Sequence, residues 1–284
     1  MKYLSLVILI MCFQAANAIV YPPDTDRIQI TSSDDKEARK VGLVQYNQDQ
    51  FYGYCTATNI SDKYILIAAH CLININDAKL NKNLVYLPSF VGVGVPSPKP
   101  IRVREGYILK EFITALGNGI LGDKNNTRFL PYEYRLNDMA LLKITINEDG
   151  VEQGLLSDWY SIGHVTEEFV QGKVYDVSLS SYPADKKLGT LWIEKNCKLS
   201  HQNDFIGKTS CDTFERASGA ALIQNDNGDP NGGVILGVFT TENFKTNINS
   251  VAMLSSKIAN EIHQIISGNE NKARLFKKVV FETD

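Results

Sequence analysis

Residues Tyr64–Cys71 read YILIAAHC. An unbroken run of Tyr, Ile and Leu too short for a helix of its own reads as a buried strand. It stops on His70 and Cys71, placing an imidazole where strand gives way to loop. Two other stretches share that design. RLNDMALLKI, residues 135–144, has Asp138 just ahead of an apolar run, and CDTFERASGAAL, residues 211–222, has Ser218 ahead of another. Each alone has a bland reading, as a core histidine, a turn aspartate and a tight-turn serine. Together they supply the parts of serine-centred acyl transfer. The hydroxyl needs a base titrating near neutrality, and the imidazole needs a carboxylate to fix its tautomer.

The texture of the rest is strand-like. VGLVQY (41–46), NLVYLPSF (83–90), KVYDVSLSSY (173–182), GTLWIEK (189–195) and GGVILGVFTT (232–241) are short runs rich in Val, Ile, Leu, Tyr and Thr. Gly, Pro, Asn and Asp punctuate them, and few amphipathic helices intervene, so the expected class is all-β. The exception is residues 255–266, SSKIANEIHQII, whose Ile258, Ile262 and Ile265 recur at helical spacing and predict a C-terminal helix. Segment 72–130, rich in Pro and Gly, is expected to contain long loops.

The first eighteen residues have the form of a signal peptide: Lys2, the apolar run LSLVILIMCF and the Ala16-Asn17-Ala18 cleavage pattern. That run is about half of the roughly 20 residues a bilayer span requires. The mature chain is therefore expected to be secreted or periplasmic, without a membrane anchor. Losing one lysine and no acid moves the formal net charge from −3 to −4, which argues against nucleic-acid or acidic-membrane partners. The organisation expected is a signal peptide (1–18), an N-terminal segment with a first β domain (19–146), a polar linker (147–154), a second β domain with the helix (155–267) and a charged, loosely ordered tail (268–284), each domain a sandwich or barrel.

Cys12 leaves with the signal, and Cys55, Cys71, Cys197 and Cys211 remain. Four cysteines in an exported chain allow three connectivities, of which the sequence-local Cys55–Cys71 and Cys197–Cys211 pairing is expected. A zinc site at Cys197, His201 and Cys211 competes, but it has three ligands and no CxxC knuckle. No metal or other cofactor is expected. His164, His201 and His263 have no catalytic context and read as surface or structural residues.

AAHC, NDMALLKI and CDTFERASGAAL resemble the His, Asp and Ser blocks of the chymotrypsin-like serine peptidases. The nearer likeness is to the bacterial V8-like glutamyl endopeptidase branch. The start IVYPPDTDRIQIT and the end GVILGVFTTENFKTNINSVAML followed by a helix carry it. It spans nearly the whole mature chain, least well in the loops of 72–130.

The resemblance implies two six-stranded antiparallel β-barrels with the site in the cleft between them. It implies a monomeric endopeptidase acting on polypeptides, with His70 as base, Asp138 as its orienting carboxylate and Ser218 as nucleophile. The backbone N–H groups of Arg216 and Ser218 would form an oxyanion hole. Asp212, Thr213 and Phe239 fall where the substrate pocket is read: Asp212 six residues before the nucleophile, Thr213 five, and Phe239 where the V8-like branch has a histidine. Three departures stand out. Phe239 offers no proton to a glutamate, so strict Glu specificity is not expected. Ala217 replaces the aspartate that trypsin-type enzymes pair with a new N-terminus, whereas the V8-like branch uses its mature N-terminus, here Ile19, near the pocket. Arg216 replaces a glycine whose backbone needs positive φ, which would direct its side chain towards solvent or substrate. The competing readings are an impaired homologue acting as a secreted binding protein, and an esterase.

Overall fold

β-branched and aromatic residues bounded by turn formers fold here as eighteen strands, and the chain has two α-helices among the described residues. The computed structural model describes residues 26–48, 51–74, 78–96, 99–117, 136–144, 156–163, 174–203, 206–225, 228–241 and 249–282. The expected signal peptide, Ile19, the linker at 147–154 and His164 lie outside the described residues, as does the side chain of His201.

The first-half strands are β1 (Arg27–Ile30), β2 (Val41–Gln48), β3 (Phe51–Asn59), β4 (Tyr64–Ile67), β5 (Ile73–Asn74), β6 (Lys79–Leu80), β7 (Lys82–Pro88), β8 (Ile101–Arg102), β9 (Glu105–Leu109) and β10 (Ala140–Lys143). Then come β11 (Ser161–Ile162), β12 (Val174–Ser181), β13 (Leu191–Asn203), β14 (Ile206–Thr209), β15 (Ala221–Gln224), β16 (Val234–Thr241), β17 (Asn249–Met253) and β18 (Phe276–Val280). Helix α1 is Lys110–Gly117 and α2 is Ser256–Ile266.

The second barrel closes. Strands β12, β15, β16, β17, β14 and β13 form a ring in that order, with β13 pairing β12 on one side and β14 on the other. The first is a curled sheet in the order β18-β9-β10-β4-β3-β2-β7-β8, whose two ends share no ladder. It stays open because β9 has β10 on one edge and β18 on the other, leaving no edge for β7 or β8. Among the described residues one main-chain bond spans the gap instead, Asn83 N–H to Glu282 O, while Val103 N–H to Leu84 O and Phe281 N–H to Arg104 O extend the β7–β8 and β18–β9 ladders.

The two chain ends cross over. β1, expected with the first barrel, pairs with β13 of the second. The tail, expected to be loose, forms β18 and pairs with β9 of the first. Its charges conceal the reason: Phe276, Val279 and Phe281 are buried in the main core while Lys277 and Lys278 stay outside. Lysines on such an edge also discourage pairing with another chain. α2 begins at Ser255, whose side chain accepts the Ile258 N–H, and buries Ile258, Ala259, Ile262 and Ile265 as its periodicity requires. α1 lies in the segment that was expected to hold strands joined by long loops.

A third apolar cluster joins the halves. Ile30, Val41, Leu43, Tyr54, Val91, Tyr182, Leu191 and Ile193 come from both barrels and pack together. Phe276→Ala should destabilise the fold by about 3 kcal/mol, the cost of an emptied aromatic site, while Lys277→Ala should change it by less than about 0.5 kcal/mol. Chemical denaturation midpoints of the two variants measure the difference.

Candidate active site

His70 sits in a single 3-10 turn, residues Ala69–Cys71, directly after β4. Two independent restraints fix that turn. Cys71 is bridged to Cys55 of β3, with Cα atoms 6.3 Å apart. Asp138, fully buried just before β10, takes both donors of the histidine: its Oδ1 accepts the His70 backbone N–H at 2.8 Å and its Oδ2 accepts Nδ1 at 2.6 Å. A carboxylate accepting at Nδ1 puts the ring proton there and leaves the Nε2 lone pair free. The imidazole is 20% exposed on its side chain, so it can be reached from solvent.

Ser218 arrives from the other barrel, in the loop before β15. Main-chain bonds to the first barrel hold it: Thr56 N–H donates to Ser218 O at 3.0 Å, and Thr56 Oγ1 donates to Arg216 O at 3.3 Å while accepting the Tyr182 N–H. Thr58 Oγ1 accepts the Ala221 N–H two residues further along β3. Gly219, at φ 90°, lies so close that a Cβ would stand 2.2 Å from Thr56 O and 3.1 Å from Ala68 N. Ser218 is thereby pressed against the strand that carries Cys55 and against the turn that carries His70. Its hydroxyl donates to Thr240 O at 3.3 Å, and among the described residues it makes no hydrogen bond to His70.

Arg216 does adopt the backbone a glycine would favour, with φ 78°. For a residue with a Cβ this costs roughly 1–2 kcal/mol, and the surroundings hold it there. Glu215 O accepts the Ala184 N–H at 2.8 Å, and Ala217 O accepts the Ala220 N–H at 3.0 Å. In a trans peptide N–H and C=O point in opposite directions, so these bonds turn the N–H groups of Arg216 and Ser218 away from Ala184 and Ala220. Neither N–H donates to any described residue. The Arg216 side chain is exposed, but it does not swing free: its Nη1 donates to Tyr54 Oη at 2.9 Å and its Cζ lies 4.4 Å from the Tyr54 ring centroid.

The three pocket candidates are placed as follows. Phe239 is buried in the second-barrel core beside Ala217 and Ala220, and its backbone N–H and C=O bond to Ala220 O and the Gly219 N–H. Thr213 is buried, and its hydroxyl has no partner among the described residues. Asp212 faces inward to Arg27, with its Oδ2 3.7 Å from Nε. The Arg27 side chain is 2% exposed and also holds Asp185 by two contacts of 3.2 and 2.5 Å.

Glu194 joins this cluster by accepting the Asp212 backbone N–H. Burial is the main reason its carboxyl is pushed up to about 7, and the nearby Asp212 and Asp26 add to it while Arg27 opposes. The Asp212 carboxyl is also raised, by burial first. Sequence reading missed Arg27, Glu194, Thr56 and Tyr54. All are ordinary strand residues in the sequence; Arg27, Thr56 and Tyr54 are brought here by contacts across more than 150 positions and Glu194 by one across 18.

The second disulfide joins Cys197 to Cys211, one residue before Asp212. Cys55, Cys71 and His70 also lie within ligand distance of one another. With both sulfurs committed to the bridge there is no thiolate to offer a metal.

No protein-family model matches the chain, and no curated protein matches it. Solved structures do. A Glu endopeptidase in complex with MPD superposes with TM-score 0.60 at 18% identity, covering 86% of this chain and 98% of that one. The thermostable serine protease AL20 from an extremophilic microorganism gives 0.58 at 16% identity, covering 82% and 99%. The protease Anisep from Arthrobacter nicotinovorans gives 0.57 at 13% identity, covering 87% and 98%. The chain has the chymotrypsin-like fold. Within that fold Asp138 grips His70 at the end of β4, and the Ser218 loop of the second barrel is bonded to Thr56 of the first.

Two outcomes follow from this geometry. Gly219→Ala should cost at least about 3 kcal/mol, because two of its three nearest neighbours are main-chain atoms and its φ is positive, and its unfolding midpoint should fall accordingly. Glu194 holds its proton more tightly folded than unfolded. Its contribution to stability is therefore full below the ordinary carboxylate range and is lost as pH rises through about 7. Unfolding midpoints measured across that window should decline for the native protein and decline less for Glu194→Gln.

Proposed function

We propose that the protein is an exported serine endopeptidase that cleaves polypeptides through an acyl-enzyme. The observation that carries this reading is the double grip of Asp138 on His70, through both Nδ1 and the backbone N–H. A buried carboxylate spent on orienting one imidazole has an obvious use if that imidazole must take and return a proton at Nε2.

In the proposed reaction the Ser218 hydroxyl turns from Thr240 O towards Nε2 as substrate binds. Such contacts are often long in the absence of substrate. Oγ attacks the scissile carbonyl carbon while Nε2 accepts its proton, and Asp138 stabilises the imidazolium that forms. The carbonyl oxygen becomes an oxyanion facing the N–H groups of Arg216 and Ser218, each worth roughly a hundredfold to a thousandfold in rate. Collapse expels the amine, to which Nε2 returns the proton. Water then repeats the sequence on the acyl-enzyme.

Two observations bear on specificity. Phe239 has no group to bind a carboxylate, and Arg27 already faces Asp212. We therefore read the side chain before the scissile bond as neither strictly acidic nor strongly basic. Two disulfides support export to an oxidising compartment, and among the described residues no helix is long and apolar enough to cross a membrane.

A serine-directed fluorophosphonate should label Ser218, and labelling should fall sharply in Ser218→Ala and His70→Ala proteins. Asp138→Asn should fold but lose roughly ten-thousandfold in turnover, because the imidazole would present the wrong tautomer. The double variant Ser218→Ala/His70→Ala should be scarcely slower than either single one, since the residues act as a unit. A folded native protein that resists the fluorophosphonate and cleaves nothing would instead make it a binding protein on a peptidase fold.

A further inference from the structure

The strained residue of the site is also a charged one. Arg216 holds φ 78° beside Ser218, and its guanidinium lies on Tyr54 with one donor given to the phenol oxygen. Tyr54 is itself buried in the cluster that joins the barrels, so the platform beneath the cation is fixed. Among the described residues no carboxylate pairs with Arg216. Its charge does reach Tyr46, whose phenol is raised by burial and partly brought back by the cation. The result is an exposed guanidinium held on a ring, with one of its donors in use among the described residues. Backbone strain retained at such a point is a reason to look for a use.

The position of the cation gives its use a direction. Nε2 of His70 returns its proton to the leaving amine, so in the proposed reaction the leaving chain lies on the His70 side of Ser218. Cys71, next to His70, is bridged to Cys55, and Tyr54 is the residue before Cys55. A guanidinium lying on Tyr54 therefore flanks the leaving half of the substrate.

We propose that Arg216, pinned on Tyr54, forms a subsite for a carboxylate one or two residues after the scissile bond. This rests on the endopeptidase reading above. The planar fork suits two-point binding of a carboxylate. A cation held in place on a rigid ring loses little freedom when the anion arrives. The carboxylate can come from an acidic side chain or from the end of a short leaving segment, since the chemistry is shared. Tyr54 acts here as a positioning residue.

The test uses quenched peptides identical before the bond and carrying Glu, Gln or Lys in the first two places after it. A further pair ends two residues after the bond, as free acid or as amide. On the native protein kcat/KM should favour Glu over Gln by about tenfold at low salt, and the preference should shrink as salt screens the pair. In Arg216→Gln protein the Glu-to-Gln ratio should fall to within about twofold of one. Tyr54→Ala, which keeps the arginine but removes its platform, should lower the ratio, and Tyr54→Phe should retain most of it. Preference for Glu over Gln assigns the carboxylate to a side chain, and preference only for free acid over amide assigns it to a chain end. Absence of both preferences in the native protein, or a ratio unmoved in Arg216→Gln, overturns the subsite.

Two controls separate this from the catalytic reading. An activated ester with no peptide after the bond reports the serine chemistry alone. If it is hydrolysed without any acid preference among the peptides, only the subsite fails. Equilibrium binding of the same peptides to Ser218→Ala protein reports the subsite alone. If binding favours Glu there while neither ester nor peptide is cleaved by the native protein, the catalytic reading fails and the subsite stands.

Discussion

A threonine from one barrel holds the Ser218 loop of the other. Thr56 gives its N–H to Ser218 O and its hydroxyl to Arg216 O, and it accepts from Tyr182. These bonds cross more than a hundred residues of sequence and lie beside the Cys55–Cys71 bridge that steadies His70. The relative position of Ser218 and His70 is thus set by one strand, β3, which touches both. Most chain-entropy cost of assembling so distant a pair is met by the barrels' own cores, so the local bonds need supply only precision.

The loop from Phe214 to Ala220 illustrates how a backbone can be forced into a shape its residues do not favour. Arg216 resists positive φ, yet Glu215 O is taken by Ala184, Arg216 O and Ser218 O by Thr56, and Ala217 O by Ala220. Four accepted hydrogen bonds outweigh roughly 1–2 kcal/mol of strain. The same bonds leave the N–H groups of residues 216 and 218 without acceptors among the described residues. The arginine side chain is then recovered as a contact, stacked on Tyr54.

Charge inside the second barrel is handled differently. Arg27 enters on β1, the strand contributed by the chain's beginning, and sits among Asp185, Asp212 and Glu194. Burial is the main reason the carboxyls of Glu194 and Asp212 are raised, and the single buried cation Arg27 only partly opposes it. The crossing of the chain ends, β1 onto the second barrel and β18 onto the first, ties each half to the other beyond the shared cluster around Tyr54 and Tyr182.

The sequence by itself determined the class, most strands, the C-terminal helix and a short set of candidate residues. Those signals are local: apolar runs bounded by turn formers, isoleucines at helical spacing, and His70, Asp138 and Ser218 each at a strand boundary. Local pairing of Cys55 with Cys71 and of Cys197 with Cys211 was legible for the same reason, because each closes a short loop. Only the tertiary structure decided the rest. The tail's FKKVV hides two inward residues behind two lysines and lacks the alternation that marks a strand, so its place on β9 depends on a free edge that no sequence displays. Asp212 looks like a pocket acid until Arg27, 185 residues earlier, is folded against it. Arg216 is a bare substitution until Tyr54 appears beneath it. Contacts of this kind are set by which strands are neighbours, and strand order is a property of the closed sheets rather than of any window along the chain.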